Sequence, residues 1–111
     1  MSDATSLIQR QLDAYNAQNL DAMVHCYAPE CVNAGLNGAI TETRREALRA
    51  RYARVFAAFP ENKATLVNRI AVGNSVNDHA EVNRGPGKEQ FQIIAIHTVM
   101  DGSIVRVDLA K

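Results

Sequence analysis

This chain of 111 residues predicts an α+β domain, with helices gathered on one face of an antiparallel sheet. Three observations carry that expectation. Apolar residues recur at helical spacing as far as Pro60, and beyond it the period falls to two. No repeat, linker or low-complexity stretch separates the two halves, which reads as one domain over 1–111.

The first helix is expected over 3–18. Leu7, Ile8, Leu12 and Tyr15 mark its apolar side, with Gln9, Arg10 and Asp13 between them. Ser6-x-x-Gln9 fits a capping box, although Ser2 or Asp3 serves equally well as a start. Asn19 can cap a second, shorter helix whose face is Leu20, Met23, Val24 and Tyr27, and Pro29 is expected to end it. Thr43-x-x-Glu46 reads as the capping box of a third helix. There Leu48, Tyr52, Val55, Phe56 and Phe59 line one side, and Pro60 closes it. Arg44, Arg45, Arg49, Arg51 and Arg54 cover much of the rest of that helix and read as a solvated face.

Strands follow at 65–72, 76–84, 90–100 and 103–109. Turn signals separate them at Gly73-Asn74, Gly85-Pro86-Gly87 and Asp101-Gly102. The third is apolar at both parities, with Ile94 and Ile96 on one face and Ile93, Ala95 and Val99 on the other. A strand of that kind must be covered on both faces. Helices can cover one, and a second subunit is the expected cover for the other.

Composition narrows the function classes. Twelve basic side chains cancel twelve acidic ones, and the pI is about 6.8, which argues against a nucleic-acid binder. No apolar run, Ile93 to Ile96 included, approaches the length of a membrane span, and the first six residues lack the pattern of a secretory signal. A cytoplasmic location is expected. Cys26 and Cys31, spaced C-x4-C around Pro29, match neither a redox pair nor a zinc knuckle and read as reduced thiols, so no metal or cofactor is expected. No glycine-rich loop supports nucleotide binding.

Two passages resemble the opening of the nuclear transport factor 2-like superfamily, in its SnoaL-like and ketosteroid-isomerase-like branches. They are Leu12-Asp13-Ala14-Tyr15-Asn16-Ala17-Gln18-Asn19-Leu20-Asp21-Ala22 and Tyr27-Ala28-Pro29-Glu30. Arg45-Glu46-Ala47-Leu48-Arg49-Ala50-Arg51-Tyr52 resembles the third helix of those branches, and Asp101 to Val107 their final hairpin. Val76 to His79 and Ala95 to Val99 look most like small bacterial members of unassigned function. The resemblance implies a cystatin-like cone, a curved sheet wrapped round three helices, with an apolar pocket and a dimer interface on the outer sheet face. It also implies an apolar or amphipathic small-molecule ligand.

Ketosteroid isomerase, on this fold, uses an aspartate base with a tyrosine and a protonated aspartate as oxyanion donors. By position these roles fall at Val32 to Gly35, Gln11 and about Ile96, where none of the required side chains stands. Steroid isomerisation by that route is not expected. The catalytic candidates are Asp78 and His79. On the family register Asp78 faces the pocket with Ala80 and Val82, while His79, Glu81 and Asn83 face outward, and a slip of one residue would exchange Asp78 for His79. A carboxylate in an apolar cavity can serve as acid or base. Tyr15, Tyr27, Asn33, Tyr52, Phe56, Ile94 and Ile96 are the expected ligand-binding residues. Ile93, Ala95, His97 and Val99 are expected at the homodimer interface, and His25 on the surface. A rival reading is a dimeric binding or assembly module without chemistry.

Overall fold

The computed structural model describes residues 3–111. Helices α1 (Asp3–Asn16) and α2 (Leu20–His25) precede β1 (Tyr27–Gly35) and β2 (Ile40–Thr43). Then come α3 (Arg45–Ala58), β3 (Lys63–Val72), β4 (Ser75–Asn83), β5 (Gln90–Met100) and β6 (Ser103–Ala110). The six strands form one curved, unclosed sheet in the order β2-β1-β6-β5-β4-β3.

α1 already runs at Asp3, so Ser6 stands inside it and caps nothing; Ser2 lies outside the described residues. Two residues earlier than expected, the helix stops in a Schellman arrangement. Gln18 takes φ 54°, its N–H meets the Tyr15 carbonyl, and the Asn19 N–H meets that of Ala14. No glycine marks this stop. Tertiary bonds offset the left-handed conformation: Gln18 Nε2 donates to the Phe59 carbonyl. Next to it, the Asn16 amide both donates to and accepts from the Ala64 backbone, imitating a ladder partner for β3.

Asn19 caps α2 as expected, its side chain accepting from the Ala22 N–H. Pro29, however, does not end α2. The helix stops at His25, and Pro29 sits within β1, in the irregular stretch between Tyr27 and Val32 where no ladder pair with β6 is made. β1 and β2 were not foreseen. β1 runs parallel to β6, so the sheet is mixed rather than wholly antiparallel. The Thr43 capping box does not form either. Thr43 closes β2, and Arg44, at φ 81°, stands at the head of α3 with no side-chain cap. The arginine face of α3 is only partly solvated: Arg49 pairs with Asp21, Arg51 with Glu42, and Arg45 donates to the Tyr27 carbonyl.

The four C-terminal strands fall within two residues of expectation at each end. Asp101 and Gly102 both adopt positive φ, 52° and 77°, which suits the tight turn between antiparallel β5 and β6. Packed on the inner side of the sheet are Leu7 and Ile8 of α1, Met23 and Val24 of α2, and Leu48 and Phe56 of α3, with Val76, Val99, Ile104 and Val107 beneath them.

The β4–β5 register corrects the expected faces of β5. Asp78 pairs with Ala95, Ala80 with Ile93 and Val76 with His97, and paired residues share a face. Val76, Asp78, Ala80 and Val82 are buried under the helices, so Ile93, Ala95, His97 and Val99 turn inward with them. Ile94 and Ile96 turn outward, and Ile94 is 44% exposed. The expectation failed because both parities of β5 are apolar, so alternation alone carries no information about its direction.

Candidate functional site

Under the helices the inner sheet face leaves a cavity of about 90 Å3. Ala64, Ala80, Val82, Ile93, Ala95, Val107 and Leu109 supply its apolar walls. Its polar groups come from Gln11 and Tyr15 of α1, Tyr27 of β1, Tyr52 of α3, Asp78 of β4 and His97 of β5. Small side chains explain the space: alanines stand at 64, 80 and 95 on three neighbouring strands, where larger residues would fill it. An engineered apolar cavity of roughly 150 Å3 holds benzene, so this one suits a molecule of only a few heavy atoms.

Asp78 is 5% exposed and directly opposite Arg69 of β3. The guanidinium grips its carboxylate with two bonds, Nε to Oδ1 at 2.6 Å and Nη2 to Oδ2 at 2.9 Å. Its Nη1 donates to Gln9 Oε1 of α1 at 2.8 Å. Such a bidentate pair fixes the carboxylate and leaves it no free negative charge to present. The same bonds raise the Arg69 pKa further, against a smaller effect of burial. Asp78 faces the cavity, but as the partner of Arg69 rather than as a free carboxylate.

His97 is 3% exposed and faces this cavity, not a partner subunit. Burial lowers its pKa below the ordinary 6.5; the Val76 hydrogen bond and the charge of Asp78 oppose that effect without cancelling it. The ring is thus neutral near pH 7. Nδ1 lies 3.0 Å from the Val76 carbonyl, which can only accept, so Nδ1 carries the proton and Nε2 the lone pair. Nε2 has no hydrogen-bond partner among the described residues. No buried side-chain nitrogen or oxygen among them lacks one, so Nε2 retains accessible surface.

Three hydroxyls surround the same space. Burial raises the Tyr27 pKa well above its ordinary value and raises that of Tyr52 as well, keeping both as O–H donors. Gln11 is within hydrogen-bonding reach of Tyr27. The Tyr15 oxygen accepts from Asn62 Nδ2 at 2.7 Å, which leaves its proton to be donated elsewhere. Asn62, fully buried, accepts in turn from Arg84, whose guanidinium lies 5.0 Å from the rings of both Phe59 and Phe91.

The other candidates lie elsewhere. His79 is on the outer face, 2.5 Å from Gln92 Oε1, and has no access to the cavity. Ile94 and Ile96 share that outer face. Phe56 is core, packed edge-on against Tyr15 at a centroid distance of 5.6 Å. Asn33 is buried but turned to β2, where it donates to Glu42 Oε1. Burial opposes ionisation of Glu42, but bonds from Thr41, Arg51 and Asn33 outweigh it and hold the carboxyl below its usual range. His25 is exposed, as expected. Burial pushes both cysteine thiols upward in pKa, which keeps them as thiols. Sequence reasoning missed Arg69, Asn62 and the inward His97. For Arg69 a signal existed: it is the one charged residue between Ala64 and Val72, and an arginine within an apolar strand needs a carboxylate opposite.

The fold and the site together define a class. Residues 8–107 match the model of the SnoaL-like domain, and the chain belongs to that family, with the nuclear transport factor 2-like, cystatin-type fold. Solved structures agree. An uncharacterised cystatin-fold protein from Novosphingobium aromaticivorans superposes with a TM-score of 0.92 at 27% identity, covering 100% of this chain and 99% of that one. A candidate polyketide cyclase from Sinorhizobium meliloti gives 0.80 at 20% identity, over 99% and 100%. A hypothetical protein of ketosteroid isomerase-like fold from Catenulispora acidiphila, solved with trimethylamine, gives 0.78 at 16% identity, over 95% and 84%. No functionally curated protein matches the sequence. Among the described residues no helix is long and apolar enough to cross a membrane, and no cluster of three or more potential ligand residues could hold a metal ion.

Two measurements check the site. Replacing Arg69 by Met leaves the buried Asp78 charge unpaired and should cost about 3 kcal/mol in urea unfolding, whereas Arg69→Met with Asp78→Leu should recover most of the loss. Stability should also fall as pH drops below about 6.5, because the unfolded chain then binds a proton that folded His97 still refuses. His97→Gln should flatten that part of the stability profile.

Proposed function

We propose that this domain binds a small neutral molecule in the inner cavity and moves a proton on it, with His97 Nε2 as the acceptor. The observation that carries this reading is the tautomer of His97. Its Nδ1 proton is committed to Val76, so a neutral imidazole with a free Nε2 lone pair is left in a cavity ringed by tyrosine hydroxyls. Hydroxyls aimed at developing negative charge are the complement such a base requires. Asp78 acts as a fixed wall charge neutralised by Arg69, not as the base, and His79 has no part. The small volume of the cavity supports a substrate much smaller than a steroid.

Acetone, with four heavy atoms, is a suitable probe. Added to the protein in deuterated buffer, it should exchange its α-protons faster than in buffer alone, and His97→Gln should reduce the protein's contribution by about a hundredfold. Ala95→Leu, which fills the cavity, should abolish both the exchange and the ketone-induced shifts of the His97 ring signals. Shifts in the native protein without exchange would leave a binding module, and no shifts at all would remove the ligand reading.

A homodimer through the outer sheet face is the accompanying proposal, on residues other than those expected. Ile70, Val72 and Ile94 are 59%, 74% and 44% exposed on that face, an unusual concentration of branched apolar side chains on one surface. Ile94→Lys combined with Ile70→Lys should convert a dimer to a folded monomer in light scattering. A native protein that already runs as a monomer would overturn the proposal.

A further inference from the structure

A second concavity, larger than the inner cavity, lies elsewhere on the described residues. It is a groove of about 680 Å3 on the other side of Tyr27, between the start of α1, α2 and the β5–β6 turn. Leu7, Ala22, Cys26 and Pro29 give it an apolar floor, and its charged groups are Arg10, Arg45, His25 and Asp21. Asp21 is committed to Arg49 at 2.8 Å. Arg45 spends one N–H on the Tyr27 carbonyl, and the Arg10 guanidinium lies beside the Cys26 thiol. Among the described residues neither arginine has a carboxylate partner within ion-pair distance. Glu46 lines only the smaller adjoining hollow of about 210 Å3.

Two guanidiniums with no carboxylate partner among the described residues, set over an apolar floor, select for one kind of molecule. Each has N–H groups arranged to meet a phosphate or carboxylate in bidentate fashion. His25 adds a ring N–H donor. The floor rewards a carbon body attached to the anion. We propose that this groove is a second binding site, for a small organic anion that joins a phosphate or carboxylate to an apolar group. It is independent of the chemistry assigned to the inner cavity. Tyr27 stands between the two, with its ring lining the cavity and its carbonyl held by Arg45.

The probe is phenyl phosphate, followed by backbone amide shifts and calorimetry. It should shift the signals of Arg10, Ala22, Cys26 and Ser103, with an affinity that declines as salt is raised. Arg10→Gln should weaken it by about tenfold, the loss of one charge-assisted contact. Arg45→Gln should do the same, and it serves should Arg10→Gln fail to fold. Arg54→Gln, on the solvent side of α3, should have no effect, and inorganic phosphate or benzyl alcohol should bind more weakly. No binding of phenyl phosphate at millimolar concentration would overturn the proposal. So would an equal loss in Arg54→Gln, or benzyl alcohol binding as tightly as the phosphate.

Discussion

The register of β4 against β5 is the constraint on which the rest of this molecule depends. Pairing Asp78 with Ala95 and Val76 with His97 commits the two polar groups to the same side of the sheet, under the helices. It also sets Ala80 beside Ile93, placing small residues where the cavity lies. A shift of one residue in β4 would carry His79 and Glu81 inward, opposite Ala95 and Ile93, and leave the cavity without Asp78. Burial of Val76, Ala80 and Val82 opposes such a shift, since β4 would turn all three outward together.

Keeping polar groups in that interior requires that each be answered. Asp78 is matched by Arg69 through two hydrogen bonds, and Arg69 by Gln9. Asn62, with no exposed surface, spends one end of its amide on Tyr15 and receives Arg84 at the other. Arg84 is steadied by two aromatic rings rather than by a carboxylate. The result is an interior rich in hydrogen-bonding capacity yet nearly neutral in charge. His97 can stay unprotonated there, because burial outweighs the pull of an aspartate whose charge is already offset.

This fold hosts unrelated functions, so the family by itself says little about chemistry. The concave surface of this chain is divided in two. A small space with a neutral base and hydroxyl donors lies on one side of Tyr27, and a wider, positively charged groove on the other. Tyr27 belongs to both because β1 begins just where α2 stops, which brings its backbone to Arg45 and its ring to the inner face.

The sequence alone determined the elements whose periodicity is strong and whose ends carry local signals. These are the Asn19 cap, the Asp101-Gly102 turn and the four C-terminal strands; the inward face of β4 was implied only by the family resemblance, with a slip of one residue left open. It could not show the stop of α1 at Asn16, which rests on Gln18 and Asn16 reaching residues more than forty positions away. Nor could it show β1 and β2, short segments paired with distant strands and interrupted by a proline. The direction of β5 was beyond it for a plainer reason: with apolar residues at both parities, only pairing with β4 decides which set is buried. Tertiary structure therefore decided that His97 rather than His79 reaches the cavity, and that the aspartate there is already held by an arginine.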